Sequence, residues 1–135
     1  MFQLIQKGVL LLIVLFSVSC SKDEDALTFA KRTIAGKTWY LSNTTEGTQS
    51  KSYIDKSTYS IQFKNIDSTI DSDGIMGTYK IVELNQVLQL IVSGKTQTGI
   101  TANYTYQIDH IEPTSLEISY NQSNLLIRKI FTTTH

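Results

Sequence analysis

The sequence predicts an all-β protein: an up-and-down antiparallel meander of about eight strands closed into a small barrel, with a short helix before it. Three observations carry this. Beyond Gly36 apolar residues recur with a period of two, whereas helical spacing is confined to residues 25–35. The gaps between apolar runs are short and rich in Gly, Asn, Asp or Pro, so hairpins fit and crossover helices do not. A meander left open would present two unpaired edges, which closure removes.

Taking the chain in order, residues 1–19 read "MFQLIQKGVLLLIVLFSVS". A basic head at Lys7, an apolar centre and a small-residue exit describe an export signal peptide. The competing reading is a membrane-spanning helix, which needs about 20 apolar residues, more than this run supplies. Cys20, the single cysteine of the 135 residues, stands directly after Ser19. One cysteine makes no internal bridge, so an exported chain needs another reason to keep it.

Residues 20–25 then form an acidic tether ending in Asp23, Glu24 and Asp25. Such a charge run reads as a solvated segment. Residues 26–135 are one domain's worth of chain. Without residues 1–19, which hold Lys7 and no acid, the remainder has one more acidic than basic side chain. There is no basic face, so nucleic-acid binding is excluded.

Asp25 to Ala35 predicts the helix, with Asp25 as cap, Leu27, Ala30 and Ile34 on one face, and Gly36 as the stop. "TYSIQFK" sets Tyr59, Ile61 and Phe63 against Ser60, Gln62 and Lys64. "NYTYQID" sets Tyr104, Tyr106 and Ile108 against Asn103, Thr105, Gln107 and Asp109. "SLEISY" sets Leu116, Ile118 and Tyr120 against Glu117 and Ser119. This alternation is that of strands with one face in a core and one in water. "KTWYLSN", "IMGTYKIVEL", "VLQLIVSG" and "NLLIRKIF" have strand composition, and a weak extra strand is expected at Tyr53–Ile54. Turn residues separate the runs, among them Glu46-Gly47, Asp71 to Gly74, Asn85-Gln86 and Glu112-Pro113.

Two resemblances follow from these residues. Ser19-Cys20 at the end of an apolar run resembles the lipobox of bacterial lipoproteins. That implies lipidation at Cys20 with acyl chains such as palmitate, and anchoring in the outer membrane. The Ser-Lys-acid run after it resembles the surface-export signal of some Gram-negative lipoproteins. Second, the short helix, then Gly36-Lys37-Thr38-Trp39-Tyr40-Leu41, then hairpin-linked strands ending in "IEPTSLEISYNQSNLLIRKIF", is similar to the lipocalin-like domains of such lipoproteins. The resemblance implies a structural pair, Trp39 with Arg128 lying across its ring at the barrel's end.

The chain carries little chemistry. Its histidines are His110 and His135, too few for a zinc site of the usual kind. Asp109 neighbours His110, but adjacent residues of a strand face opposite ways, which argues against a catalytic pair. "DSTIDSDG", residues 67–74, fails the spacing of a calcium loop and reads as an acidic hairpin turn. No metal, cofactor or catalytic residue is expected, and nothing argues for an enzyme.

Two functions remain. In the first, Trp39, Tyr59, Ile61, Phe63, Tyr104, Tyr106, Ile108, Leu116 and Ile118 line a barrel interior that binds a small apolar or amphipathic ligand. In the second, the same residues are plain core. The protein then contacts a protein or glycan partner through loops 42–52, 65–74 and 93–100. The discriminating feature is an open cavity of several hundred Å³, typical of ligand sites.

Overall fold

The computed structural model describes residues 23–54, 59–65, 67–96 and 98–134, with only the backbone of residue 102. The export signal, Cys20 and His135 lie outside the described residues. Among the described residues one helix, α1 (Ala26–Ile34), precedes nine strands. These are β1 (Lys37–Glu46), β2 (Gln49–Ser52), β3 (Ser60–Lys64), β4 (Ser68–Asp71) and β5 (Met76–Leu84). They continue with β6 (Val87–Lys95), β7 (Thr101–Glu112), β8 (Ser115–Gln122) and β9 (Leu125–Thr132).

All pairings are antiparallel and run between chain neighbours, from β3 to β9. β1 closes the ring: Lys37–Tyr40 pairs with β3, while Tyr40–Glu46 pairs with β9. Eight strands therefore form a closed barrel, as predicted. β2 is a short polar addition that pairs only with Asn43–Glu46 of β1. It takes the place of the extra strand expected at Tyr53–Ile54. The segment Ser68–Asp71, read from the sequence as part of a turn, is strand β4. Much of the three expected contact loops is likewise strand, in β1, β2, β4 and β6.

The helix forms as expected. Asp25 caps it, its Oδ1 accepting the Thr28 amide at 2.9 Å and its Oδ2 the Thr28 hydroxyl at 2.7 Å. Glu24 pairs with Arg32, so two of the three tether acids are engaged by the helix. Gly36 ends it with φ of +73°, a conformation that side chains disfavour, and its amide donates to the Phe63 carbonyl at 2.7 Å. Ala30 and Ile34 are fully buried, and the helix packs on β5 and β7, plugging one end of the barrel.

Above this plug the interior is filled. Trp39, Phe63, Leu90 and Leu116 are at most 1% exposed, and Ile81, Ile108, Ile118 and Phe131 pack around them. Phe63 meets Tyr79 edge-on, with ring centroids 4.8 Å apart. The Trp39 indole N–H donates to the Ile34 carbonyl at 3.3 Å, tying the plug to β1.

The expected Trp39–Arg128 stack is not formed. Arg128 is exposed on the outer face, opposite Thr45 and Ser119. The cation over Trp39 is Lys37, whose Nζ lies 5.6 Å from the ring centroid and donates to the Pro113 carbonyl at 2.8 Å. It lies at the plugged end of the barrel.

Among the described residues two bulges break the strict alternation, at Ser42 in β1 and Asp109 in β7. The second leaves both Asp109 and His110 exposed. Sequence adjacency on a regular strand would have put them on opposite faces. His110 Nε2 lies 3.1 Å from Glu112 Oε1, outside the barrel and away from its interior.

Candidate functional site

The end opposite the plug is open. Strand direction brings four tyrosines there: Tyr59 just before β3, Tyr104 and Tyr106 on β7, and Tyr120 on β8. With Asp71, Asp73, Ile75, Asn121, Gln122 and Lys129 they line a cleft of about 440 Å³. Below it, between Tyr59, Tyr106, Leu116 and Phe131, the free space shrinks to about 20 Å³. The barrel is thus solid at the plugged end and hollow at its mouth.

The tyrosine rings are ordered against one another. Tyr104 and Tyr106, two residues apart on one face of β7, stack with centroids 5.9 Å apart. Tyr120 meets Tyr106 edge-on at 5.4 Å. Tyr59 leans on Phe131 at 6.3 Å, and its hydroxyl donates to Asp71 Oδ2 at 3.2 Å. The other oxygen of Asp71 accepts the amides of Asp73 and Ile75 at 3.0 and 2.8 Å, which folds the turn after β4 over the mouth. The sequence "DSDG" therefore builds a rim, with Asp71 as its anchor.

Lys129 is the inward residue of β9 between Ile127 and Phe131. Its Nζ lies 5.8 Å from the Tyr59 ring centroid and 5.5 Å from that of Tyr120. Burial pushes its pKa down, against the pull of Glu46 and Asp73, which favour the charged form. Burial also raises the phenols of Tyr59 and Tyr106 well above the ordinary tyrosine value. At Tyr59 the Asp71 carboxylate adds to this, and at Tyr106 the neighbouring phenols do. Tyr120 is shifted the same way, by burial first and then by Glu46. Tyr59, Tyr106 and Tyr120 accordingly stay protonated through the physiological range.

The wall beside the cleft is unzipped. The β7–β8 ladder ends, on the mouth side, at Gln107↔Ser119. Beyond that point Thr101–Tyr106 pairs with β6 alone, and Tyr120–Gln122 pairs with β9 alone. A second hollow of about 390 Å³ occupies this split, reaching the outward side chains Gln89, Thr105, Gln107 and Ser119. It shares Tyr104, Tyr106, Tyr120 and Asn121 with the mouth cleft, so the two hollows meet at these residues.

Of the nine residues expected to line a binding interior, Tyr59, Tyr104 and Tyr106 face the mouth cleft. Trp39, Phe63, Ile108, Leu116 and Ile118 belong to the buried core, and Ile61 packs at its edge. Tyr104 is 43% exposed, the outermost of the four tyrosines in the rim. The sequence reading placed Tyr120 on the right face without assigning it to the site, and it missed Asp71, Asp73 and Lys129. The signal for Lys129 was a lysine interrupting the inward apolar row Ile127, Phe131.

Among the described residues no group of three His, Cys, Asp or Glu side chains is placed to hold a metal ion. Nor is any described helix long and apolar enough to cross a membrane. No protein-family model, no curated protein and no solved structure matches the chain significantly.

Proposed function

We propose that the protein is an exported lipoprotein, anchored to the outer membrane through Cys20, whose lipocalin-like barrel binds a small amphipathic molecule at its mouth. The observation that carries the binding role is the cleft itself, about 440 Å³ in volume, with four tyrosines converging above a filled core. Clefts of this size with mixed aromatic and polar linings are typical of small-ligand sites. Rings that are already ordered against one another lose little conformational freedom on binding. Apolar contact with them contributes about 25 cal/mol per Å² removed from water.

The anchoring role is supported by the apolar leader, by the lone Cys20 directly after Ser19, and by the acidic run that follows. Acyl chains at Cys20 would hold the protein at the bilayer by about 0.8 kcal/mol per buried methylene. Radiolabelled palmitate should enter the wild-type chain and not Cys20→Ser. Native mass spectrometry of the purified protein should show a small molecule carried with it. An unliganded mass, with no thermal shift across a panel of lipids and metabolites, would refute the binding role.

A second reading, contact with a protein or glycan partner, is favoured by one observation. Met76, Ile100, Leu125 and Leu126 remain exposed at the mouth end. Exposed apolar residues grouped at one end of a molecule mark interaction surfaces. Crosslinking at this rim that captures a macromolecule, with no small molecule bound, would establish it in place of the first.

A further inference from the structure

We infer that the mouth cleft selects an anionic amphiphile, a small molecule with an apolar or aromatic body and one negatively charged group, and that Lys129 is the residue that pairs with the charge. The inference rests on the reading of the cleft as a ligand site and adds the chemical class of the ligand.

Lys129 stands on the inward face of β9. Inward positions of a barrel strand hold side chains that fill the interior. Here an ammonium takes such a position, half-buried between Ile127 and Phe131. Among the described residues its Nζ has no hydrogen-bond acceptor and no carboxylate within ion-pair distance. Its close neighbours are the faces of Tyr59 and Tyr120. Aromatic faces attract a cation without using up its N–H donors, so all three donors remain available to an acceptor in the cleft.

The nearby acids do not fill that role. Asp71 is engaged on both oxygens, by the Tyr59 hydroxyl and by two backbone amides. Asp73 and Glu46 are exposed and act on Lys129 from a distance, favouring its charged form against the effect of burial. The remaining polar groups beside it are donors as well. The hydroxyls of Tyr106 and Tyr120 have no protein acceptor among the described residues, and their raised ionisation keeps them as O–H donors. One ammonium and two phenols directed at the same space form a recognition site for acceptor oxygens carrying negative charge. The stacked faces of Tyr104 and Tyr106 provide the complementary apolar surface.

Two dyes with the same aromatic skeleton separate charge from apolar contact: anilinonaphthalene sulfonate and uncharged phenylnaphthylamine. Each is titrated by fluorescence into the full chain in phosphatidylcholine nanodiscs, with empty discs as blank. The wild type is expected to bind the sulfonate at least about tenfold more tightly, the effect of one charge-assisted pair in a partly dry site. Lys129→Met, which keeps the volume, should abolish that preference while still binding the uncharged dye. Lys129→Arg should keep it. Equal affinities in the wild type, or a preference surviving in Lys129→Met, would overturn the inference alone. Binding of neither dye would overturn the cleft as a ligand site, and this inference with it.

Discussion

One side chain, Trp39, hydrogen-bonds the helical plug to the barrel, and its removal has a calculable cost. Trp39 is fully buried, and an aromatic side chain of this kind removes about 150–250 Å² from water. At about 25 cal/mol per Å² this is about 4–6 kcal/mol, close to the 3–5 kcal/mol typical of aromatic-to-alanine changes in cores. A domain of this size is stable by about 5–15 kcal/mol in total, so Trp39→Ala should leave it close to unfolding. Trp39→Phe is the sharper perturbation. It keeps most of the ring and deletes the indole N–H that donates to the Ile34 carbonyl. A buried carbonyl left unpaired costs about 1–3 kcal/mol, and the smaller ring leaves a small void besides. The expected loss is about 2–3 kcal/mol, concentrated on α1. Urea denaturation followed by far-UV circular dichroism measures the total, because the variant has lost the single tryptophan as a probe. Amide hydrogen exchange of residues 26–34 locates the loss. A change within about 0.5 kcal/mol of wild type, with exchange in α1 unaltered, would show that the plug is held by apolar packing alone.

Further outcomes follow from the same geometry. Gly77 and Gly94 face each other across β5 and β6, and a Cβ on Gly77 would lie 2.1 Å from the Ser93 carbonyl oxygen. Gly77→Ala should therefore destabilise by about 1–3 kcal/mol or more in urea, since backbone rather than a flexible side chain must move. The Asp25 carboxyl is held below its ordinary 3.8 by the Thr28 amide and hydroxyl. Its folded value lies below the unfolded one, so the cap stabilises above 3.8 and is lost as acid titrates the folded group; Asp25→Ala should remove that part of the acid transition in circular dichroism. The phenols of Tyr59 and Tyr106 are raised above 10.0 in the fold. Their contribution is intact below that value and is lost as pH rises from there toward the folded values. Tyrosinate absorbance should accordingly show these two ionising only with alkaline unfolding, and early titration of all seven tyrosines would contradict the packing of the cleft.

What the sequence made legible depended on how much of each element is written in its own residues. The helix could be read because its cap, apolar face and stop are all local: Asp25, then Leu27, Ala30 and Ile34, then Gly36. Strands β3, β7 and β8 were legible because each alternates apolar and polar residues over at least five positions. β4 was not, because Ser68–Asp71 is too short for a period to show and sits among turn formers. It is a strand because Ile70 pairs with Gln62 on one side and Met76 on the other, a fact about neighbours. β2 is polar and exposed throughout, so no burial pattern marked it. In the site, alternation put Tyr59, Tyr104 and Tyr106 on the inner face. It could not say which inner residues lie near the plug and which near the mouth, because that depends on strand direction and on where α1 docks. Nor does alternation report how far a ladder extends, so the split beyond Gln107↔Ser119 left no mark in the sequence.

The position of the plug also relates the two halves of the proposed function. The chain enters the fold through α1, which covers the solid end of the barrel, and β1 runs from there toward the mouth. From Cys20 to Asp25 an extended chain reaches at most about 18 Å. A lipid at Cys20 would hold the plugged end near the bilayer and leave the mouth facing away from it. Of the three acids that follow Cys20, Glu24 and Asp25 are already engaged with Arg32 and Thr28 at the helix start. The solid half thus serves as a base, where Trp39 ties the helix to β1 and Lys37 ties β1 to the loop at Pro113. The mouth needs no such locking and keeps its free volume. A short barrel that must both fold on a small core and expose a cleft can do so only by dividing its length between the two. The division falls along β9, where Phe131 belongs to the core and Lys129 to the cleft.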